Sequence, residues 1–332
     1  MKVLLINSDE GPDYLADLIN YYFITGSYEL FTNHRLDFLF DDYGNKENLY
    51  GKGFTLYGKL SQNSKKNITV LSSQQIKDSI NDYDQIIFTS IQRKVKNSPV
   101  KEDLFWSIHK NLKLKNIIVV DGEDNLKIDQ SIADKSLYFK RELIKKNISI
   151  AKPISFSFPK YEITKSVKTT NEKSQLLAPM DPRYLNSYIF DEKSYFDQYA
   201  RSLFGVTIKK AGWDCMRHYE ILSQNTLLYF PGIIEKPELT MCEFPLDLQL
   251  ETNSLFESLL TGDSNIDSVE KIRLRYYTKN YALRSIKRVK TKLTKLNLIE
   301  NNINKIETLN NEFQNWFQKN GTTAIYKKIL DL

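Results

Sequence analysis

The sequence predicts an α/β protein with two Rossmann-like domains followed by C-terminal helices. Three observations lead to this prediction. Short apolar runs end in polar loops and are followed by helical patterns, which is typical of parallel strands joined by helices. The length of 332 residues exceeds that of one ordinary domain. A polar stretch, residues 159–174, separates two series of strands and is the best candidate for a linker.

The first domain is predicted to comprise residues 1–158. Val3–Ile6 is an apolar run that predicts a buried first strand, and Pro12 suits the first position of the helix that follows. Ile86–Ser90 and Ile117–Val120 predict two further strands. No G-x-G-x-x-G pattern follows the first strand, so a dinucleotide is not expected.

The composition is that of a globular protein, with 41% hydrophobic and 27% charged residues. The formal net charge of +6 permits an anionic substrate or surface without requiring one. Cys215 and Cys242 are far apart, which favours free thiols in a reducing compartment. The apolar run Val3–Ile6 is too short for a signal peptide or a membrane span. We therefore expect a cytoplasmic protein, with peripheral contact at the inner face of the membrane as its only membrane association.

The second domain is predicted to comprise residues 175–300, and its central part forms one strand–turn–helix–strand unit. The unit consists of the strand Phe204–Ile208, the turn Ala211-Gly212, a helix to about Gln224 and the strand Thr226–Phe230. Asp214 is expected to be the N-cap of this helix, and Asn225 is expected to close it in a left-handed conformation. Ligands of such units bind beyond the carboxyl ends of the strands.

Charged residues are concentrated at that edge. Lys209 and Lys210 follow the strand, Arg217 lies early in the helix, and Glu220 lies three residues further on the same side. Cations beside a glycine turn and a helix N-terminus suit a phosphate, and a carboxylate one turn deeper suits the hydroxyls of a ribose. Together they suit a nucleoside diphosphate; the alternative is an Arg217–Glu220 pair that braces a surface helix. Arg183, after this domain's first strand, could join the diphosphate site or belong to a proline turn.

Residues 202–233 resemble the nucleotide-sugar-binding part of exostosin-like glycosyltransferases. The matching positions are Ser202, the strand Phe204–Ile208, Gly212, Arg217, Glu220 and Phe230-Pro231. The sequence departs from the family pattern after the helix, where Ser223–Thr226 replace alanine-glycine-cysteine. The resemblance implies the GT-B architecture, in which the active site lies between two Rossmann-like domains and the second domain binds the donor.

The resemblance also implies a function. It implies a hexosyl- or pentosyltransferase that moves a sugar from a nucleotide-sugar donor, expected to be UDP-linked, to a glycan or glycoconjugate in polysaccharide biosynthesis. It implies inversion, and a retaining mechanism stays open. No metal or other cofactor is expected, and residues 301–332 are expected to form C-terminal helices that pack back on the first domain. The expected donor-binding residues are Arg183, Lys209, Lys210, Gly212, Arg217 and Glu220.

An inverting transfer needs a base that deprotonates the acceptor hydroxyl. Loops of the first domain that face the cleft are the expected source of this base. Asp9, Glu10 and Asp13 follow the first strand, and Glu123 and Asp124 follow a later one. Asp13 also suits the N-terminus of a helix. The sequence does not choose among these residues, and our preference is Asp9.

Two alternatives stay open. Asp121 and Asp124 end a strand and could bind a divalent cation in a metal-dependent transferase. The basic helical pattern of residues 271–295 could hold a non-catalytic protein on a polyanion or an anionic membrane. His218, beside Arg217, could contact donor phosphates or simply pack. The expected partners are a nucleotide sugar and a glycan or glycolipid acceptor, and nucleic acid is not expected.

Overall fold

The structure is a computed structural model that describes residues 1–7, 11–44, 49, 56–89, 91, 100–111, 116–159, 168–182, 191–261 and 302–331. Its strands form two separate parallel sheets. We call the part built on the first sheet, residues 2–153, the first lobe, and the part built on the second sheet, residues 175–261, the second lobe.

The described part of the first lobe contains seven parallel strands in the order β3-β2-β1-β4-β5-β6-β7. The strands are β1 Lys2–Ile6, β2 Glu29–Thr32, β3 Ile68–Val70, β4 Gln85–Thr89, β5 Ile117–Asp121, β6 Leu137–Lys140 and β7 Lys152–Pro153. The helices are α1 Tyr14–Thr25, α2 Ser73–Asp78, α3 Val100–Ile108 and α4 Gln130–Ala133. Successive residues of β1 pack into two different hydrophobic clusters, one on each face of the sheet. Burial on both faces is why this strand is a continuous apolar run.

A buried asparagine organises the carboxyl edge of the first sheet. The strand order reverses between β1 and β4, and ligands bind beyond the strands at such a point in open α/β sheets. Asn7, directly after β1, donates to Asn20 Oδ1 at 2.9 Å and to the His34 carbonyl at 2.9 Å. Its own Oδ1 accepts from Thr89 Oγ1 at 2.9 Å. One side chain thus fixes α1 and the ends of β1, β2 and β4 relative to each other.

The second lobe contains three described strands, in the order β10-β9-β8, all parallel. The strands are β8 Gln175–Leu177, β9 Ser202–Val206 and β10 Leu227–Tyr229, and the helices are α5 Glu192–Ala200, α6 Met216–Ser223 and α7 Leu246–Thr261. The predicted strand–turn–helix–strand unit is therefore confirmed as β9, α6 and β10. Asn225 closes α6 with φ 54°, as predicted.

The start of α6 differs from the prediction. The N-cap is Cys215 and not Asp214, and the Cys215 side chain makes no capping hydrogen bond. Asp214 is buried instead, where its carboxylate accepts from the Phe156 amide at 2.7 Å and from the Tyr219 hydroxyl at 3.0 Å. These two donors take the oxygens that an N-cap would offer to its own helix.

Two helices end the chain, α8 Ile303–Asn320 and α9 Thr322–Lys327. The Thr322 amide donates to the Phe158 carbonyl at 3.2 Å. The Tyr326 ring lies 6.4 Å from the Tyr22 ring of α1. The fold class is confirmed as α/β with two Rossmann-like units and C-terminal helices. The domain boundaries stay predictions, because half of the predicted linker (residues 160–167) and residues 262–301 lie outside the described residues.

Candidate functional site

Arg141, the residue after β6, joins the two lobes. Its guanidinium donates to the Gly122 carbonyl at 3.0 Å, to Glu142 Oε1 at 3.1 Å, to Asp124 Oδ1 and to the Asp214 carbonyl of the second lobe. The side chain is 2% exposed. A buried guanidinium is stable only when its donors are satisfied and its charge is balanced. Arg141 therefore fixes the loop before α6 against the first lobe.

The carboxylate of Glu142 also connects the first lobe to the loop before α6. Its Oε1 accepts from the Trp213 amide at 2.8 Å and from the Asp214 amide at 3.1 Å. We call Arg141, Glu142 and residues 212–214 the interlobe clip. The next loop reinforces it, because Thr240 Oγ1 accepts from the Leu143 amide at 2.9 Å. The carboxyl edges of the two sheets thus face each other.

Gly212 is required by this clip. A Cβ atom at this position would lie 2.7 Å from Glu142 Oε1 and 3.0 Å from Arg141 Nη1, and it would also collide with Asp124 Oδ1. The first lobe thus leaves no room for a side chain in the turn. The resemblance implied that Gly212 approaches a donor; this role stays a prediction beside the packing role that the structure shows.

Three cations lie at the exit of β9 and the start of α6. Lys209 and Lys210 are exposed, and Arg217 donates through Nε to Thr207 Oγ1 at 3.1 Å. Partial burial, and then the charge of Arg217, lower the pKa of Lys210, so these two cations are close. Repulsion between them makes an anion favourable at this point. The first turn of α6 receives no side-chain cap from Cys215, and uncapped amides also favour an anion there.

Glu220 lies deeper, between the lobes. It is 1% exposed, and its Oε2 accepts from the Tyr195 hydroxyl at 2.7 Å. Tyr57 of the first lobe lies near it: burial, then the neighbouring Tyr14 and Asp17, and then Glu220 raise the pKa of Tyr57. The alternative of a brace on a surface helix is therefore wrong for Glu220. The Glu220 carboxylate is thus shielded from solvent in this structure.

The acidic end of β5 is committed to hydrogen bonds. Asp121 forms a fully buried ion pair with Lys140 at 2.9 Å and accepts from the Tyr138 hydroxyl at 2.7 Å. Asp124 binds Arg141. In the part of the chain that the structure describes, no group of three His, Cys, Asp or Glu residues could hold a metal ion. The two residues of the metal-dependent alternative, Asp121 and Asp124, thus already bind the cations Lys140 and Arg141 of the chain itself, and that alternative stays open.

Of the three base candidates that follow the first strand, the structure describes only Asp13. Asp9, Glu10 and the donor candidate Arg183 lie outside the described residues. Asp13 is the N-cap of α1, and its Oδ1 accepts from the Leu15 amide at 3.1 Å and the Ala16 amide at 3.2 Å. The helix-terminus role expected for Asp13 is thus confirmed. Its role as a base stays a prediction.

His218 is fully buried and packs in the core. Its Nε2 donates to the Trp213 carbonyl at 2.8 Å, and its ring lies 4.7 Å from the Phe230 ring. Burial lowers the pKa of His218 to about 4, so the ring is neutral at pH 7. The packing interpretation holds, and a contact with donor phosphates does not fit this position.

The interlobe clip was missed from the sequence. From the sequence, Arg141 could pair with Asp121 or Asp124 or face an anionic substrate; the structure shows the pair with Asp124. Glu142 had no assigned role, since its partners lie about seventy residues further along the chain. One signal was available in the sequence. Arg141 and Glu142 are adjacent opposite charges directly after a strand, and charges that are buried at the end of a strand need partners.

The two parallel sheets face each other through their carboxyl edges, which defines a two-lobed protein built from two Rossmann-like units. In open α/β sheets this edge is where ligands bind. A solved structure supports this class: an alpha-glucosyltransferase in complex with UDP and a 13-mer DNA containing a central A:G mismatch matches with a TM-score of 0.50 and 10% identity. The match covers 100% of this chain and 99% of that chain. At this identity the likeness shows the fold, and the chain therefore has a glycosyltransferase fold of the GT-B type.

A second complex of an alpha-glucosyltransferase, with UDP and a 13-mer DNA containing a HMU base, matches at a TM-score of 0.42 and 9% identity over 100% of this chain and 98% of that one. No protein-family model matches the chain, and the comparison with curated proteins gave no match. The exostosin-like resemblance therefore stays a prediction. Among the described residues, no helix is long and apolar enough to cross a membrane.

Proposed function

We propose that this protein is a metal-independent glycosyltransferase that moves a sugar from a UDP-linked donor to a glycan or glycoconjugate acceptor. The observation that carries the proposal is the cation group of Lys209, Lys210 and Arg217 at the carboxyl edge of the second sheet. This is the edge that faces the first lobe. The glycosyltransferase fold and the UDP bound to the similar enzyme support the same donor class.

The proposed chemistry follows from the charges. Sugar transfer leaves a nucleoside diphosphate, whose added negative charge must be stabilised as the bond to the sugar breaks. Lys210 and Arg217 supply this positive charge without a metal ion. Glu220 would accept hydrogen bonds from the ribose hydroxyls after Tyr195 releases it. Inversion is the proposed outcome, and the transferred group is proposed to be a hexose or pentose.

The acceptor is the less constrained part of the proposal. A glycan or glycolipid fits the exostosin-like resemblance of residues 202–233. The similar enzyme was solved with a DNA duplex, which makes duplex DNA the second acceptor to test. The alternative of a polyanion-binding protein depends on residues 271–295, which lie outside the described residues.

A thermal-shift titration with UDP and UDP-glucose, with and without EDTA, tests the donor site. A ligand at one hundred times its Kd stabilises the native state by about 2.7 kcal/mol. At about 2–4 °C per kcal/mol for a large domain, this predicts a rise of roughly 5–10 °C that EDTA does not change.

Three variants make this test specific. Arg217→Ala is expected to abolish the shift because it removes the diphosphate cation. Glu220→Gln should weaken it while keeping an acceptor for the Tyr195 hydroxyl. Arg201→Ala is the matched control: Arg201 is exposed, precedes β9 and therefore lies at the opposite edge of the sheet. Equal shifts in all three variants, or salt-dependent heparin binding with no response to any nucleotide, would contradict the proposed function.

A further inference from the structure

Four carboxylates surround the end of β5 and the start of α1. Asp121 is the last residue of the strand, Glu123 and Asp124 follow it, and Asp13 caps the neighbouring helix. They are close in space, since an added Cβ on Gly122 would lie 3.6 Å from Asp13 Oδ1. This group lies at the first-lobe side of the interlobe clip, because Asp124 reaches Arg141 and the Gly212 turn.

Three of the four carboxylates already have hydrogen-bond or ion-pair partners. Asp121 holds Lys140 and the Tyr138 hydroxyl, Asp124 holds Arg141, and Asp13 holds the first amides of α1. Glu123 is different: in the part of the chain that the structure describes, no residue donates a hydrogen bond to its carboxylate or forms an ion pair with it. A carboxylate without a partner can accept a proton from a substrate without breaking an existing contact.

The backbone of Glu123 is nevertheless fixed. Its amide donates to Asp121 Oδ1 at 2.9 Å, and its carbonyl accepts from Lys140 Nζ at 3.3 Å. Both partners are buried at the end of the sheet. A rigid main chain with an unoccupied side chain is the arrangement that a positioned catalytic group requires.

We propose that Glu123 is the general base that removes the proton from the acceptor hydroxyl. This inference rests on the proposed function. In the step, the acceptor O–H proton moves to the Glu123 carboxylate while the acceptor oxygen forms a bond to the anomeric carbon. The bond from that carbon to the diphosphate oxygen breaks, and its electron pair leaves with UDP. Glu123 then returns the proton to solvent, so that atoms and charge balance.

The surroundings of Glu123 suit this role. Partial burial, followed by the charges of Asp121 and Asp13, raises the pKa of Glu123 above its ordinary value, and Lys140 opposes this only in part. A base accepts a proton better when its pKa lies closer to the working pH. The cations Lys210 and Arg217 belong to the other lobe, where they stabilise the negative charge of the leaving diphosphate. Removal of the acceptor proton and stabilisation of the leaving group are thereby assigned to different lobes.

UDP release from UDP-glucose with water as the acceptor, followed with purified full-length protein, tests the proposal. Glu123→Gln is expected to lower kcat by roughly 100-fold or more, since general bases contribute about that much. The thermal shift with UDP should stay as in the wild type. Sodium azide, a nucleophile that needs no base, should restore UDP release in Glu123→Ala and should not accelerate the wild type. Glu29→Gln, an exposed carboxylate at the opposite edge of the sheet, is the control.

The outcomes separate the inference from the proposed function. No UDP shift and no UDP release by the wild type would overturn both. A wild-type kcat in Glu123→Gln, or an equal loss of UDP binding in that variant, would overturn the role of Glu123 alone. Loss of turnover with azide rescue in Asp9→Asn, Glu10→Gln or Asp13→Asn, with Glu123→Gln active, would assign the base to that residue instead.

Discussion

Removing the Glu142 side chain should lower the free energy of unfolding and weaken the connection between the two lobes. Glu142→Ala leaves three N–H groups without this acceptor: the amides of Trp213 and Asp214 and one N–H of Arg141 Nη1, whose other contact, the Asp214 carbonyl, remains. Glu142→Gln is the matched variant, because its amide oxygen can still accept from both backbone amides. The two variants therefore distinguish hydrogen bonding from charge at a site that is 3% exposed.

The structure sets the expected magnitudes. Breaking a buried ion pair by removing one partner costs about 3–5 kcal/mol, and each orphaned buried amide costs about 1–3 kcal/mol. These costs overlap, since the Gly212–Asp214 loop can relax. Arg141 also keeps Asp124 as a partner. We therefore expect a loss of about 4 kcal/mol for Glu142→Ala and about 1–2 kcal/mol for Glu142→Gln, against a typical stability of about 5–15 kcal/mol.

Urea unfolding followed by tryptophan fluorescence measures both losses, because Trp213 lies in the clip. Glu142→Ala should also separate the unfolding transitions of the lobes, since the clip connects them. The exposed Lys2–Glu29 pair, at 3.9 Å, supplies a control, and Glu29→Ala should cost less than about 1 kcal/mol. Equal stability losses for Glu142→Ala and Glu142→Gln would refute the reasoning, because the amide acceptors would then contribute nothing.

Two further predictions concern the same region. Gly212→Ala should destabilise the protein by about 1–3 kcal/mol in urea unfolding, and Asp124→Ala should not relieve this, because the buried Glu142 and Arg141 still obstruct the methyl group. The second prediction concerns pH. Burial raises the pKa of Asp214 from its ordinary value of 3.8 to about 6. Between these two pH values the folded state binds more protons than the unfolded state, so this group makes stability fall as pH rises. The pKa of His218 is lowered to about 4, so between 4 and 6.5 the unfolded state binds the extra proton and stability rises with pH. Unfolding at pH 4 and 6.5 should show a falling profile in His218→Phe and a rising one in Asp214→Asn; parallel profiles would contradict these assignments.

Local physics made much of the fold predictable. β1 and β4 are recognisable because both faces of the sheet are covered, which demands continuous apolar runs. Asn225 was predictable because a left-handed helix end depends on a single residue's steric freedom. The predicted ends of elements were less accurate: β9 spans Ser202–Val206 and not Phe204–Ile208.

Interactions between distant parts of the chain limited the prediction of the site. Asp214 has the local features of an N-cap, but Phe156 and Tyr219 bind its carboxylate in the folded chain. Glu220 was placed correctly on α6, yet its burial depends on the first lobe. The choice of Glu123 over Asp13 and Asp124 required the partners of all three carboxylates, which no spacing in the sequence contains.

The position of the last two helices has a consequence for synthesis of the protein. Translation is vectorial, and every strand of the first sheet has left the ribosome long before α8 and α9 exist. Until they arrive, the aromatic surface around Tyr22 and the backbone of Phe158 have no cover from Tyr326 and Thr322. The nascent chain therefore lacks this cover until α8 and α9 are synthesised, and we expect chains ended by a premature stop codon before residue 303 to be aggregation-prone.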